Sequence, residues 1–247
     1  MPTRVALVTG ASRGIGRAIS IELARAGFAV GVNYLSRQDQ AEGTVAAITT
    51  GGGEAVALQA DVADPQAVDR MFAALDRQCG RLDALVNNAG IGVRIDSLTA
   101  IDDATWRRTL AVNLDGAFYC LRAAVPRLRA AGGGRIVNIS SGAAKTGGLI
   151  GAHYAASKAG LLALTAKAAR ELARDGISVN AVLPSVIETE MMETLAASAE
   201  ARERLRVQFP IGRFGRPEEV AQVVRFLLVE APGYLTGEFL SLRGGRL

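Results

Sequence analysis

Short apolar runs and amphipathic stretches alternate along almost the whole chain, and this alternation limits the possible folds more than any other feature. Residues 5–8 (Val-Ala-Leu-Val) stop at Thr9-Gly10 and read as a buried strand. Residues 14–26 carry Ile15, Ile19, Ile21 and Leu23 at helical spacing and end at Gly27. The pattern repeats, with strands expected over 28–33, 55–59, 82–86, 135–139, 177–183 and 238–242. Helices are expected over 38–50, from Pro65 onward, and over 102–131, 151–174 and 218–229. Pro65 suits a first helical turn, and the glycines at 51–53 and 132–134 and Asp175-Gly176 suit helix ends. Strands that are apolar throughout, rather than in alternation, are covered on both faces. Joined by right-handed crossovers, they make a doubly wound parallel sheet.

With 247 residues the chain is near the upper size for one core, and it has no linker, repeat or low-complexity tract. The expectation is an α/β fold in a single domain over 1–247, with seven parallel strands and helices on both faces. One stretch is irregular. Residues 184–217 are rich in Ala, Glu and Arg and follow the carboxyl end of the sixth strand, which suits a substrate lid. Within it, Met191, Met192, Leu195 and Phe209 suit either an apolar-tolerant pocket or packing of the lid on the body.

Composition removes several function classes. Two cysteines, Cys79 and Cys120, and one histidine, His153, are too few for a Cys/His zinc site. No metal is expected. No G-x-S-x-G elbow accompanies His153, which argues against a serine-hydrolase triad. Both cysteines read as small buried apolar side chains. The net charge is +4, but the basic residues are scattered and no aromatic stripe runs between them, so no nucleic-acid partner is expected. No apolar run is long enough to cross a bilayer, and Met1-Pro2-Thr3-Arg4 leads into a strand without a signal-peptide layout. No membrane partner and a cytoplasmic location are the corresponding expectations.

The first strand runs into Thr9-Gly10-Ala11-Ser12-Arg13-Gly14-Ile15-Gly16. Glycines permit a tight turn and close approach of a pyrophosphate, and the following helix offers free N–H groups at its positive dipole end. Strand, glycine turn and helix in this order read as a Rossmann dinucleotide site containing Gly10, Ser12, Arg13, Gly14, Ile15 and Gly16. An NAD site usually ends the second strand with an acid. Here the stretch is Val32-Asn33-Tyr34-Leu35-Ser36-Arg37. Ser36, Arg37 and Arg13 suit a 2′-phosphate, so NADP(H) is expected over NAD(H).

Tyr154 and Lys158 stand four residues apart at the start of a long helix, on one face. A phenol titrates near ~10, and a neighbouring ammonium would lower that value. With four tyrosines and three lysines in the chain, chance placement gives about 0.05 such pairs.

Taken together these motifs resemble the short-chain dehydrogenase/reductases over essentially the whole length. Those that match are 9–16, Asp61-Val62 after the third strand and Asn87-Asn88-Ala89-Gly90 after the fourth. Asn113, Ser140-Ser141 after the fifth strand and Tyr154/Lys158 match as well. The resemblance implies a catalytic set of Asn113, Ser141, Tyr154 and Lys158. Tyr154 would exchange a proton with the substrate oxygen, Ser141 would polarise that oxygen, Lys158 would bind the nicotinamide ribose and lower the Tyr154 pKa, and Asn113 would support a proton relay. It also implies adenine contacts at Asp61 and Val62, ribose contacts at Asn88 and Gly90, and nicotinamide contacts at Ile187 and Thr189. Asn87 and Ser140 are expected to be structural. The nearest subgroup resembles the 3-oxoacyl-carrier-protein reductases, through Ile211-Gly212-Arg213-Phe214-Gly215 and Tyr234-Leu235-Thr236-Gly237-Glu238.

Two departures stand out: Pro184-Ser185 replaces the family's Pro-Gly, and Arg243 replaces an acid before Gly244-Gly245. The basic residues expected for docking an acyl carrier protein are shifted to Arg127, Arg129 and Arg174. The resemblance implies an NADPH-dependent ketone reductase, with a 3-oxoacyl thioester as one substrate, assembled as a homotetramer. A sugar or alcohol dehydrogenase is the alternative. A non-catalytic dinucleotide sensor fits less well, because such proteins lose the tyrosine or lysine that this chain keeps.

Overall fold

The computed structural model describes residues 4–195 and 198–246, excluding the side chains of 194 and 195. Leu195, expected in the lid's apolar set, therefore has its side chain outside the described residues. Seven parallel strands form one sheet: β1 (Arg4–Val8), β2 (Phe28–Tyr34), β3 (Glu54–Gln59), β4 (Ala84–Asn87), β5 (Gly134–Ile139), β6 (Ile177–Pro184) and β7 (Phe239–Leu242). Their order is β3-β2-β1-β4-β5-β6-β7. Chain direction across the sheet therefore reverses between β1 and β4, and open sheets bind ligands at that crevice.

Residues alternate between two cores along each strand. In β1, Val5 and Leu7 enter one cluster with Phe72, Leu75 and Leu128. Ala6 and Val8 enter the other, with Ile19, Ile48 and Leu227. The helices of the first face are α3 (Pro65–Cys79), α5 (Gly116–Ala130) and α7 (Ala152–Leu172). Those of the second are α1 (Gly14–Arg25), α2 (Gln38–Thr50) and α10 (Pro217–Val229). All residues of β2 and β6 are buried, as continuous apolar runs require. Cys120 is fully buried, and burial pushes its thiol up to about 12; Cys79 is only half-buried.

The structure refines three expectations. The fourth strand begins at residue 84, not 82. Leu82 is buried, but the Asp83 carboxylate accepts from the Val5 N–H at 2.8 Å, so a side chain takes a ladder position. The helix expected over 102–131 runs unbroken from 103 to 130, but with a π-helical turn (Ala111–Asp115) between α4 (Asp103–Leu110) and α5. A Cβ on Gly116 would lie 2.8 Å from Val62 Cγ2, so the backbone is pressed against the β3–α3 loop where the helix resumes. The helix expected over 151–174 ends as α7 at Leu172 and is followed by a 3₁₀ turn.

Residues beyond β6 carry α8 (Glu190–Leu195) and α9 (Ala199–Arg206), and a short α6 (Ala143–Thr146) follows β5. A parallel bridge joins Ile187 to Gly215, so both ends of the lid are tied together at its base. Met192 and Phe209 pack inside the lid with Leu205 and Phe214, which is the packing alternative for these residues. Met191 instead lies against the cluster of Ala143, Ile150 and Tyr154. Among the described residues no helix is long and apolar enough to cross a membrane.

Candidate active site

The glycine turn follows β1 at the switch point. Gly10 and Gly14 have φ of +61° and +54°, the left-handed region where a side chain is strained. A Cβ on Gly16 would lie 2.3 Å from the Gly10 carbonyl oxygen, so only glycine lets α1 start so close to the turn. Arg13, at the N-cap of α1, makes no side-chain cap, so the first N–H groups are open to an anion. A pyrophosphate fits this cradle.

The turn is fastened by Asn33, which sequence reasoning did not single out, and by Thr9 and Asn88, which it did. Asn33, at the end of β2, accepts from the Gly10 N–H at 3.1 Å and donates to the carbonyls of Leu58 and Ala60 at 3.1 and 3.2 Å. One buried amide thereby joins the turn, β2 and the end of β3. The readable signal was a polar residue inside an otherwise apolar strand. Thr9 Oγ1 accepts from the Asn88 and Ala89 N–H groups at 2.9 and 3.0 Å. Asn88 lines the cleft, but its amide donates to the Thr9 and Gly10 carbonyls at 2.9 and 3.0 Å, which commits that nitrogen to the loop.

A cleft of about 1080 Å³ runs from this turn across the carboxyl ends of the strands. Its walls include Ser12, Ile15, Val62 and Ile187. At one end Ser36 and Arg37 are exposed beyond β2. Asp61 accepts from the Ala63 N–H and pairs with Arg108 at 3.0 Å. Arg13 pairs with Glu190 of α8 at 3.0 Å, so the lid reaches the glycine turn. Thr189 lies under the lid, with its Cγ2 3.4 Å from where a Gly14 Cβ would stand.

Ser141 at the end of β5, and Tyr154 and Lys158 one turn apart on α7, meet in the same cleft. The Ser141 side chain faces the Tyr154 phenol and stabilises its ionised form, and its Oγ accepts from the Ala143 N–H at 3.1 Å. Lys158 is 3% exposed and donates to the Ile139 carbonyl at 2.9 Å, with its Nζ 5.7 Å from the Tyr154 ring centre. Asn113, in the π turn, lies behind the wall: its amide accepts from the Ile91 N–H at 2.8 Å and donates to the Ile91 carbonyl and Ser157 Oγ at 2.9 and 3.0 Å. Gly90 passes between the two groups. A Cβ there would stand 3.2 Å from Lys158 Nζ and 3.4 Å from Asn113 Oδ1. Ser140 lines the cleft but donates its hydroxyl to the Lys158 carbonyl at 2.8 Å, and Asn87, outside the lining, donates to Asn138 Oδ1 at 2.9 Å.

The electrostatics correct one expectation. Burial raises the Tyr154 phenol above its ordinary value, and the neighbouring Ser141 hydroxyl only partly offsets this. The lowering expected from Lys158 does not appear: desolvating a buried phenolate outweighs the Ser141 contribution. Burial likewise pushes Lys158 down to about 8.

A family model described as enoyl-(acyl carrier protein) reductase matches residues 10–246. The chain is 42% identical to the 3-oxoacyl-[acyl-carrier-protein] reductase FabG of Staphylococcus aureus strain Mu50, over 98% of each chain. It is also 42% identical to the 3-oxoacyl-[acyl-carrier-protein] reductase of Synechocystis sp., over 99% of this chain and 97% of the other. Among solved structures, a putative gluconate dehydrogenase from Agrobacterium tumefaciens superposes with a TM-score of 0.93 at 35% identity, covering 98% of this chain and 95% of that one.

Proposed function

The chain belongs to the short-chain dehydrogenase/reductase family, and from that premise we propose that it is an NADPH-dependent ketone reductase with Tyr154 as the proton donor. The observation that carries this reading is the convergence of Ser141, Tyr154 and buried Lys158 in the cleft that starts at the glycine turn. Gly10 to Gly16 would hold the pyrophosphate, and Ser36, Arg37 and Arg13 the 2′-phosphate. Asp61 and Val62 would flank the adenine, Gly90, Tyr154 and Lys158 the nicotinamide ribose, and Ile187 and Thr189 the carboxamide. When bound, the dinucleotide supplies two electrons as hydride. Ser141 Oγ and Tyr154 Oη hold the substrate carbonyl oxygen, and Tyr154 passes its proton to that oxygen as negative charge develops there. A phenol raised by burial stays protonated at neutral pH, which is the form reduction needs. Asn113, fixed by Ile91, faces Lys158 across Gly90 and supports return of the proton from solvent.

The test follows nicotinamide absorbance with NADPH and NADH on a panel of β-keto thioesters, simple ketones and sugars. Ketone-dependent oxidation with a lower KM for NADPH is expected. No turnover of any member would reject the reductase reading, and an NADH preference would reject the assignment of Arg37 and Arg13.

A carrier protein as substrate bearer draws support from the FabG relatives. Against it, Arg127 is bonded to Asp76 and Arg129 to Asp175, so these two guanidiniums are already neutralised within the chain. Comparing an acetoacetyl-carrier protein with a free acetoacetyl thioester decides this: a lower KM for the carrier form supports docking, and equal values reject it. Oxidation of a sugar or alcohol is the second reading, favoured by the likeness to the putative gluconate dehydrogenase. It would require tyrosinate, which burial of Tyr154 makes scarce.

A further inference from the structure

Sheet order arranges the cleft in space. Arg37 follows β2, the glycine turn follows β1, Gly90 follows β4, Ser141 follows β5 and Ser185 follows β6. Arg243 comes directly after β7, on the side of the catalytic group away from the adenosine end. Gly142 donates its N–H to the Pro184 carbonyl, and Pro184 registers with Leu242. The backbone at Arg243 is thus two strand spacings, about 10 Å, from that at Ser141.

Arg243 and Arg246 both line the cleft and are brought together by one turn. The Arg246 N–H donates to the Arg243 carbonyl at 3.0 Å, and Gly244 and Gly245 between them have φ of +55° and +84°. Two positive φ values with this closure make a type I′ turn. The turn is packed against the lid, where the Ile211 N–H donates to the Gly244 carbonyl at 3.1 Å. Arg246 lies over the Phe209 ring at 5.3 Å. Arg243 is half-buried and, among the described residues, has no acid or acceptor for its guanidinium. Of the acids lining the cleft, Asp61 and Glu190 are each paired elsewhere, and Glu193 is exposed.

We propose that Arg243 and Arg246 form an anion subsite, and that the substrate is a carbonyl compound bearing a carboxylate or phosphate remote from the reacting carbon. The inference rests on the reductase reading and adds a substrate class to it. A cleft-lining guanidinium without a counter-charge is available to an anionic ligand, and a planar fork suits both oxyanions.

The test uses matched pairs: 4-oxopentanoate against its methyl ester, and dihydroxyacetone phosphate against dihydroxyacetone. The wild type should favour the charged member of at least one pair by about tenfold in kcat/KM, through KM, as one charge-assisted contact provides. Arg243→Gln and Arg246→Gln should bring that ratio towards one, and the pair that responds identifies the oxyanion. Equal use of both members of both pairs, or variants that keep the ratio, would overturn the subsite. So would a matching loss of NADPH affinity in the variants, which would place the guanidiniums on the cofactor. If nothing in the panel turns over, the reductase reading fails, and the subsite is then judged by calorimetry. Weaker binding of 4-oxopentanoate and dihydroxyacetone phosphate to the variants than to the wild type would support it, and equal or absent binding would reject it.

Discussion

At the scale of single residues, burial decides the chemistry of the site. Tyr154→Phe removes the proton donor and keeps the ring, so kcat for ketone reduction should fall by about 100-fold or more. Full-speed turnover would remove Tyr154 from the mechanism. Lys158 carries a folded-state pKa of about 8 against an ordinary 10.5. The unfolded chain therefore binds the extra proton between these values, and stability rises as pH climbs from about 8 to 10.5. Below 8 the buried ammonium opposes folding. Lys158→Met should abolish turnover yet stabilise the fold at pH 7 by about 1–2 kcal/mol, the relief of about 3 less the lost bond to Ile139. Denaturant titration should show that advantage vanish towards pH 10.5; a variant less stable at pH 7 would contradict it. In the wild type, reduction should slow as pH rises through about 8, where Lys158 loses its charge. His153, next to Tyr154, is fully buried, and neither ring nitrogen has a hydrogen-bond partner. His153→Leu should therefore leave stability unchanged or raise it by about 1 kcal/mol; a clear loss in denaturant midpoint would show that the ring is satisfied.

At the scale of elements, the site depends on joints between strands and helices. Asn33 ties the glycine turn to β2 and to the end of β3. Asn33→Ala leaves three buried backbone groups without this partner, and a loss of about 2–3 kcal/mol is expected. A higher KM for NADPH should accompany it, because Gly10 loses its anchor. A stability loss with unchanged cofactor affinity would confine Asn33 to the fold. The π turn plays the matching part on the other face. Without its extra residue, a regular helix would rotate Asn113 away from Ile91 and Ser157. π-bulges often occur at functional sites for this reason.

At the scale of the whole molecule, charge pairs join the lid to the body. Arg213 beside Glu219 holds that carboxyl down to about 2, helped by the Arg216 N–H. Its contribution is complete above the ordinary carboxylate value of 4.5 and is lost as pH falls through about 2. Solvent screening keeps it below about 1 kcal/mol. Glu219→Gln should thus lower the thermal midpoint slightly at pH 7 and not at pH 2; an equal loss at both would deny the linkage. Trp106 and Phe118 are exposed on α4 and α5, and the homotetramer implied by the family resemblance would pair the long helices after β4 and β5 and the last strands. Solution scattering should give a tetramer, and a monomer would reject it.

Much of this was open to reading along the chain. Alternating periods specified a parallel sheet because side-chain direction is a local property of each element. The glycine turn and the Tyr154–Lys158 spacing were readable for the same reason. What packing alone decided lies between distant segments: Asn33 under the turn, Arg13 engaged by Glu190, the π turn beneath Gly90, and Arg243 brought to the cleft by the last strand. The sign of the Tyr154 shift belongs there too. Spacing places a lysine near a phenol, but how much water remains around them depends on every wall the fold builds.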